Sequence, residues 1–518
     1  EMQDRADAAA LAEVETIIAS NQALRDEIEA IGLEESGRIA LDQARLASTI
    51  ALKEENLAVL QNAEASETQI SALQREIELL RQRSGLLGDK QVALLGEDVD
   101  APGRVVVDVA AVFGGLAAGD VAVGALELVQ GLLAESRLEG CEWVWVTSGA
   151  VDAGDGVVEV AQAPVWGLLR SVRAEYPDRV IRLVDLGPGT SGDDVEQAVS
   201  ASGEPELAVR GGEIRAARLQ RVREPEEPVS GAVFDAEGAV LVTGGTGELG
   251  RAVAVRLVER FGVRHLVLTS RRGADAPGTE ELVARLEEAG AGSVRVVACD
   301  VADRDQVREL LESAERPWTG VFHLAGVLDD GVVSGLDAER VARVWAPKAG
   351  GAVHLDELSR ELGLDLAAFV LFSSAAGVLG GAGQANYAAA NAFLDALAVS
   401  RRAEGLAGSS LSWGLWEQAG LGLTAALGQA ELARLRRGGV GVLTSGQALA
   451  VLDAALESAS GPGWAHVVPV RLELAGLRRR PEEVPALLRH LVRAPRRRAG
   501  AGDGPVSGLG ERLAGLSP

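Results

Sequence analysis

Among its 518 residues the chain has two cysteines, two tyrosines, one methionine and aromatic side chains at only 3% of positions. Cys141 and Cys299 lie far apart and no charged-and-apolar leader opens the sequence, which excludes a disulfide framework and reads as a cytosolic protein. No uncharged apolar run reaches the roughly 18 residues that a bilayer-spanning helix needs. The five histidines (His265, His323, His354, His466 and His490) form no close ligand pair with one another or with cysteine, so no metal site is expected. Positive charge is also short: a net charge of −26 leaves no basic stripe to track phosphates, and nucleic acid is excluded as a general partner. The local exception, Arg478 to Arg480 with Arg496 to Arg498, is a basic tail that could meet nucleic acid but more often is solvated surface or a dock for an acidic partner.

What is present divides the chain. Residues 1–96 contain no Phe, Trp or Tyr, and their apolar positions recur at threes and fours (Leu11, Val14, Ile18; Ile70, Leu73, Ile77, Leu80), predicting helices. Two readings stand: a coiled coil that docks or forms a homodimer, or a helical hairpin packed on its own chain. From Arg104 short β-rich runs alternate with helical stretches. Arg104–Val109, Trp143–Ser148 and Val180–Leu186 read as strands, with helices over Ala122–Glu139 and Gly167–Glu175, so 97–232 is an α/β unit. Ala163 to Ser171 carries no convergent set of titratable groups and reads as packing. After a Pro/Glu linker at Arg223 to Pro228, residues 233–477 repeat the alternation with strands near 238, 265, 293, 320, 367 and 408, as a doubly wound parallel sheet does. Residues 478–518 read as a short helix and a Gly-rich linker, a piece of something longer.

The chemistry gathers in that second unit. Gly245-x-Gly247-x-x-Gly250 follows a predicted strand and opens a helix, where glycines let backbone amides approach a pyrophosphate at a positive helix terminus. The next strand ends in Ser270-Arg271-Arg272 rather than in an acidic residue; a hydroxyl and two guanidiniums suit a 2′-phosphate, so NADPH is the expected cofactor. Asp300-Val301 is expected at the adenine rim. Tyr387 and Asn391, one helical turn apart, share a face, and Ser374 ends the preceding strand. A serine and a tyrosine hydroxyl can hold a ketone oxygen while the phenol gives up its proton as hydride arrives. Lys348, the only lysine after Lys90, is the ammonium that would favour the phenolate.

These residues resemble the short-chain dehydrogenase/reductase superfamily, although asparagine stands where Tyr-x-x-x-Lys would put lysine. With Thr243-Gly244-Gly245-Thr246-Gly247-Glu248-Leu249-Gly250, His323-Leu324-Ala325-Gly326-Val327-Leu328-Asp329-Asp330 and Trp413-Gly414-Leu415-Trp416, the chain is similar over 104 to 498 to ketoreductase domains of modular type I polyketide synthases, where lysine and asparagine are exchanged. The resemblance implies two Rossmann-like subdomains, a truncated structural one without cofactor and a catalytic one, with further strands normally preceding the segment at Arg104. It implies a nucleotide held by Thr243, Gly244, Gly245, Thr246, Gly247, Glu248, Leu249, Gly250, Ser270, Arg271, Arg272, Asp300, Val301, Ala325 and Gly326. It implies Tyr387 as acid, Ser374 orienting the carbonyl, Lys348 beside the tyrosine, and Asn391 holding the site or a relay water. The substrate it implies is a β-ketoacyl thioester on the phosphopantetheine of an acyl carrier protein, the partner along with other synthase domains. Leu328-Asp329-Asp330 matches the B-type signature for a D-configured alcohol, with Leu379 where A-type domains have tryptophan, and with Trp416 lining the substrate. Ala389, in place of proline, implies an unepimerised α-carbon, and Glu417 to Gly438 would be the lid. Two rival functions remain: a silent scaffold that docks through its helices, and a free-standing reductase of small ketones.

Overall fold

The structure, a computed structural model, describes residues 103–156, 158–190, 192–222, 233–417, 436–459, 464–480 and 484–492. The helices expected over 1–96, nearly all of the expected lid and most of the C-terminal linker lie outside these residues.

The first half forms a five-stranded sheet ordered β1-β2-β3-β4-β5. Its strands are Arg104–Asp108 (β1), Glu142–Ser148 (β2), Ile181–Leu186 (β3), Glu206–Arg210 (β4) and Glu213–Ala216 (β5). The first four are parallel, and β5 folds back on β4 through Gly211-Gly212, whose φ values of +57° and +80° fit a two-residue hairpin turn. The hairpin escapes sequence reading because β4 is buried throughout while β5 is exposed, so neither strand shows clean alternation. Two helices matter below. Helix α1 spans Ala118–Ala134 and stops short of the expected Glu139 because Glu135 turns extended and caps Arg137 with its carboxylate. Helix α2 spans Ala163–Glu175, starting four residues earlier than expected, with Pro164 in its first turn, where a missing N–H costs nothing.

The second half is an all-parallel seven-stranded sheet ordered β13-β11-β10-β9-β6-β7-β8. Its strands are Ala239–Thr243 (β6), His265–Ser270 (β7), Ser293–Ala298 (β8), Trp318–His323 (β9), Ala368–Ser374 (β10), Ser409–Trp413 (β11) and His466–Val467 (β13); Val440–Gly441 (β12) pairs with Arg471–Leu472 (β14) alongside. The helices between them include Glu248–Phe261 (α3), Ala338–Trp345 (α4), Gly351–Glu361 (α5) and Ala385–Ala403 (α6). The chain winds outward from β6 through β7 to β8, then crosses to β9 on the other side, leaving a switch point between the carboxyl ends of β6 and β9.

Helix α6 lies between the sheet and helix α2 of the first half. The approach is close because small residues meet: a Cβ on Gly167 would stand 2.1 Å from the Ala388 carbonyl oxygen. Trp143, Trp145, Val165 and Leu169 of the first half share one core with Val333, Val341, Ala385 and Ala389 of the second. The stretch from Ala163 to Ser171 therefore packs as expected, with one exception: Arg170 pairs with the buried Glu206, which Arg173 also engages. Beyond the second sheet, Leu488 and Val492 pack on Leu474 and Leu477, and Leu219 donates its N–H to the Leu487 carbonyl, binding the C-terminal stretch to both halves.

Candidate active site

The Gly-rich turn joins β6 to α3, and its glycines are required by space. Gly244 has φ +65°, a Cβ on Gly250 would lie 2.4 Å from the Gly244 carbonyl oxygen, and one on Gly245 would lie 2.8 Å from that of Val242. Gly247 caps α3 without a side-chain bond, so the first-turn amides face outward unblocked. At the end of β7 the Ser270 hydroxyl is buried with no partner, and the exposed Arg271 and Arg272 have no ion pair among the described residues. A close-approach turn, an unengaged buried hydroxyl and two free guanidiniums fit a phosphorylated dinucleotide. Asp300, expected at the adenine rim, accepts from the Ala302 N–H, and the Val301 side chain turns into the core, 4% exposed.

His323, at the end of β9, ties the cofactor turn to the lysine. Its Nδ1 is 2.8 Å from the Thr243 hydroxyl and its Nε2 is 2.8 Å from the Lys348 carbonyl, so Nε2 carries the hydrogen and Nδ1 accepts. Burial drives its pKa down to about 4, leaving it neutral. The Thr243 hydroxyl also accepts from Leu324 and Ala325 N–H, so it is committed to the fold. The sequence signal was the adjacency of His323 to Ala325-Gly326.

Lys348 sits in a π-helical turn, Ala346–Gly350, between α4 and α5, where Pro347 removes a helical donor. The widened turn points the side chain inward. Lys348 is 4% exposed, donates to the Phe372 carbonyl at 3.1 Å, and holds its Nζ 5.1 Å from the centroid of the Tyr387 ring. Gly326 borders the same ammonium. The cation and the phenol thus meet across the sheet although 39 positions separate them in sequence.

Tyr387 and Asn391 lie in the first turns of α6, with Asn391 Nδ2 donating to the Tyr387 carbonyl at 2.7 Å. Asn391 is fully buried and its Oδ1 has no partner. An unpaired buried carbonyl oxygen costs about 1–3 kcal/mol, so it stands ready to accept from a water or a ligand. Ser373 holds the Asn391 backbone carbonyl at 3.1 Å, and the next residue, Ser374, ends β10 with its hydroxyl accepting from Ala376 N–H. Lys348 and Asn391 thus both lie against Tyr387, and Ser374 ends the strand whose Ser373 holds the Asn391 carbonyl.

At the rim, Asp329 pairs with Arg340 and Arg343, and the Asp330 carboxylate accepts from Gln384 Nε2 at 2.8 Å. Burial raises the pKa of Asp330. Asn386 donates to the Asp329 carbonyl at 2.9 Å. Leu328 packs on the core beneath α6, and half-buried Leu379 ends the short helix after Ser374. Trp416 is 5% exposed and packs against Trp413, their centroids 4.7 Å apart. Gln384, Asn386, Arg340 and Arg343 were not singled out from sequence; their signal was proximity to Tyr387 and to the next helix after Asp329. A cavity of about 630 Å³ lies elsewhere, between the halves behind α6, lined by Trp166, Arg170, Glu206, Asp395 and His466.

Comparison with known proteins agrees with this fold. A family model of the KR domain matches residues 238–418, and one of the polyketide synthase extender module SpnB Rossmann fold domain matches 56–219, beginning well inside the aromatic-free segment. The chain is 51% identical over 405 residues to polyketide synthase GfsA of Streptomyces halstedii, covering 76% of this chain and 5% of GfsA. It is 49% identical over 286 residues to erythronolide synthase EryA2 of Saccharopolyspora erythraea, covering 55% of this chain and 8% of the relative. It thus spans a small fraction of the curated relatives it matches. A solved structure of A-type ketoreductases from a modular polyketide synthase superposes with a TM-score of 0.67 at 39% identity, covering 75% of this chain and 81% of that one. An A1-type ketoreductase gives a TM-score of 0.68 at 38% identity, covering 79% and 86%. Among the described residues no helix is long and apolar enough to cross a membrane.

Proposed function

The chain belongs to the ketoreductase domains of modular polyketide synthases, and from that premise we propose that it reduces a carrier-bound β-ketoacyl thioester to a β-hydroxyacyl thioester with NADPH. The observation that carries this reading is the Lys348 ammonium over the Tyr387 ring in a fold whose cofactor turn is intact. Residues Thr243 to Gly250 would cradle the pyrophosphate, Ser270, Arg271 and Arg272 the 2′-phosphate, and Ala325 and Gly326 the nicotinamide side. When bound, the reduced nicotinamide supplies hydride to the carbonyl carbon.

The chain's own residues do the rest. Ser374 and Tyr387 donate to the substrate ketone oxygen and orient it. The Tyr387 hydroxyl gives its proton to that oxygen as negative charge develops there, and the Lys348 ammonium stabilises the phenolate left behind. Asn391 Oδ1 accepts from a water that returns a proton towards Lys348 and Tyr387. The multidomain architecture of the relatives supports an acyl carrier protein and neighbouring synthase domains as partners.

Leu328-Asp329-Asp330 and Leu379 support the B-type subclass and a D-configured alcohol, and Ala389 in place of proline supports an unepimerised α-carbon, although the solved relatives just described are A-type and A1-type ketoreductases. One experiment tests the reading: reduction of a short β-ketoacyl N-acetylcysteamine thioester with 4-deuterated NADPH, with chiral analysis of the product. Deuterium at the β-carbon of the D-alcohol is expected. No consumption of NADPH overturns the reductase assignment, and the L-alcohol overturns the subclass alone.

A further inference from the structure

The half without a cofactor turn reaches into the rim of the site by side chains that grip backbone. On α2, the Arg170 guanidinium donates to the Gly377 carbonyl at 2.8 Å while Glu206 holds its other edge. Also on α2, the Ser171 hydroxyl accepts from Gly381 N–H at 3.3 Å. From α1, Gln130 Nε2 donates to the Val333 and Leu336 carbonyls, each at 2.8 Å. The last residue of α2, Glu175, does something none of the others does. One of its carboxylate oxygens accepts from Gly383 N–H at 2.8 Å and the other from Val333 N–H at 3.0 Å.

Those two amides belong to different loops. Val333 follows Leu328-Asp329-Asp330, and Gly383 lies between Leu379 and Tyr387. The loops also meet directly, Gly331 N–H donating to the Gly383 carbonyl at 2.8 Å, and Gln384 beside it holds Asp330. The Glu175 carboxylate thus ties together the two walls that frame Tyr387, alongside the Gly331–Gly383 and Gln384–Asp330 bonds, and carboxylate-to-amide bonds are about twice as strong as neutral ones. We propose that Glu175 is a positioning residue, contributed by the cofactor-less half, that sets which face of the substrate ketone is offered to hydride. The inference rests on the reductase reading above.

The test uses the full chain and the same β-ketoacyl N-acetylcysteamine thioester. Glu175→Gln keeps the shape but turns an amide NH2 towards one of the two N–H groups; Glu175→Asp keeps the charge but cannot span both loops. A part-buried N–H left unpaired costs at most of the order of what a tenfold change represents, so up to about a tenfold erosion of the alcohol ratio is expected in each variant. kcat/KM should fall by about the same factor, with NADPH binding and the melting temperature close to wild type. Folded variants that retain the wild-type ratio overturn the inference and leave the reductase reading intact. If both variants melt more than about 10 °C lower and lose NADPH binding, Glu175 is a folding residue and the inference fails. A wild-type chain that does not reduce the thioester takes both readings down together.

Discussion

Tyr387 and Lys348 meet through contributions from three elements: the π-turn that aims the ammonium, the strand carbonyl of Phe372 that holds it, and helix α6, which presents the phenol. Replacing the hydroxyl tests the role assigned to it. Tyr387→Phe retains the ring and its packing, so NADPH binding should be unchanged while kcat falls at least 10²- to 10⁴-fold, the usual value of a positioned proton donor; stopped-flow absorbance of NADPH with fluorescence titration reads both. Under the proposed function, cofactor choice rests on Ser270, Arg271 and Arg272. With Arg271 exposed and unpaired, Arg271→Asp removes a cation and adds an anion where a 2′-phosphate would bind, and kcat/KM for NADPH relative to NADH should drop by about tenfold or more. Unchanged selectivity would move the phosphate site away from Ser270-Arg271-Arg272.

Helix α6 carries Tyr387 and Asn391, and its position is decided by what presses on its far face. Gly167 of α2 meets the Ala388 carbonyl, a backbone atom that cannot swing aside. Gly167→Ala should therefore cost about 1–3 kcal/mol of stability and lower kcat by shifting the phenol, measured by urea denaturation and by turnover. Gly131→Ala in α1 is the control: a Cβ there meets nothing within 4 Å, and helix propensity makes the change neutral or stabilising by about 1 kcal/mol. The same two helices explain why the stretch Ala163 to Ser171, featureless as chemistry, is dense in small and apolar residues. Strands β4 and β5 present no period-2 face by which a sequence pattern would show them.

The molecule as a whole joins two sheets through one shared core, and its acid stability reports on the joint that links the cofactor turn to the lysine turn. His323 is fully buried with a pKa near 4, against about 6.5 in an unfolded chain. Between those values the unfolded chain binds a proton that the folded protein refuses, so stability is complete above pH 6.5 and falls as pH drops towards 4, by roughly 3 kcal/mol in all. His323→Gln, which cannot charge, should flatten that part of the acid limb; urea midpoints at pH 7 and pH 4.5 for both proteins give the difference, and equal slopes would place the acid sensitivity elsewhere.

Much of the site was legible from short stretches alone. A turn that only glycine can make, a tyrosine and an asparagine one helical turn apart, and a lone lysine in a lysine-poor region are local facts, because backbone conformation and helical spacing are encoded within a few residues. The convergence of Lys348 on Tyr387, the neutral His323 between the turns, the bond from Gln384 to Asp330 and the reach of Glu175 into two loops are not local. They depend on strand order and on how closely α2 seats against α6, which many distant contacts settle jointly, and no window of the sequence contains them.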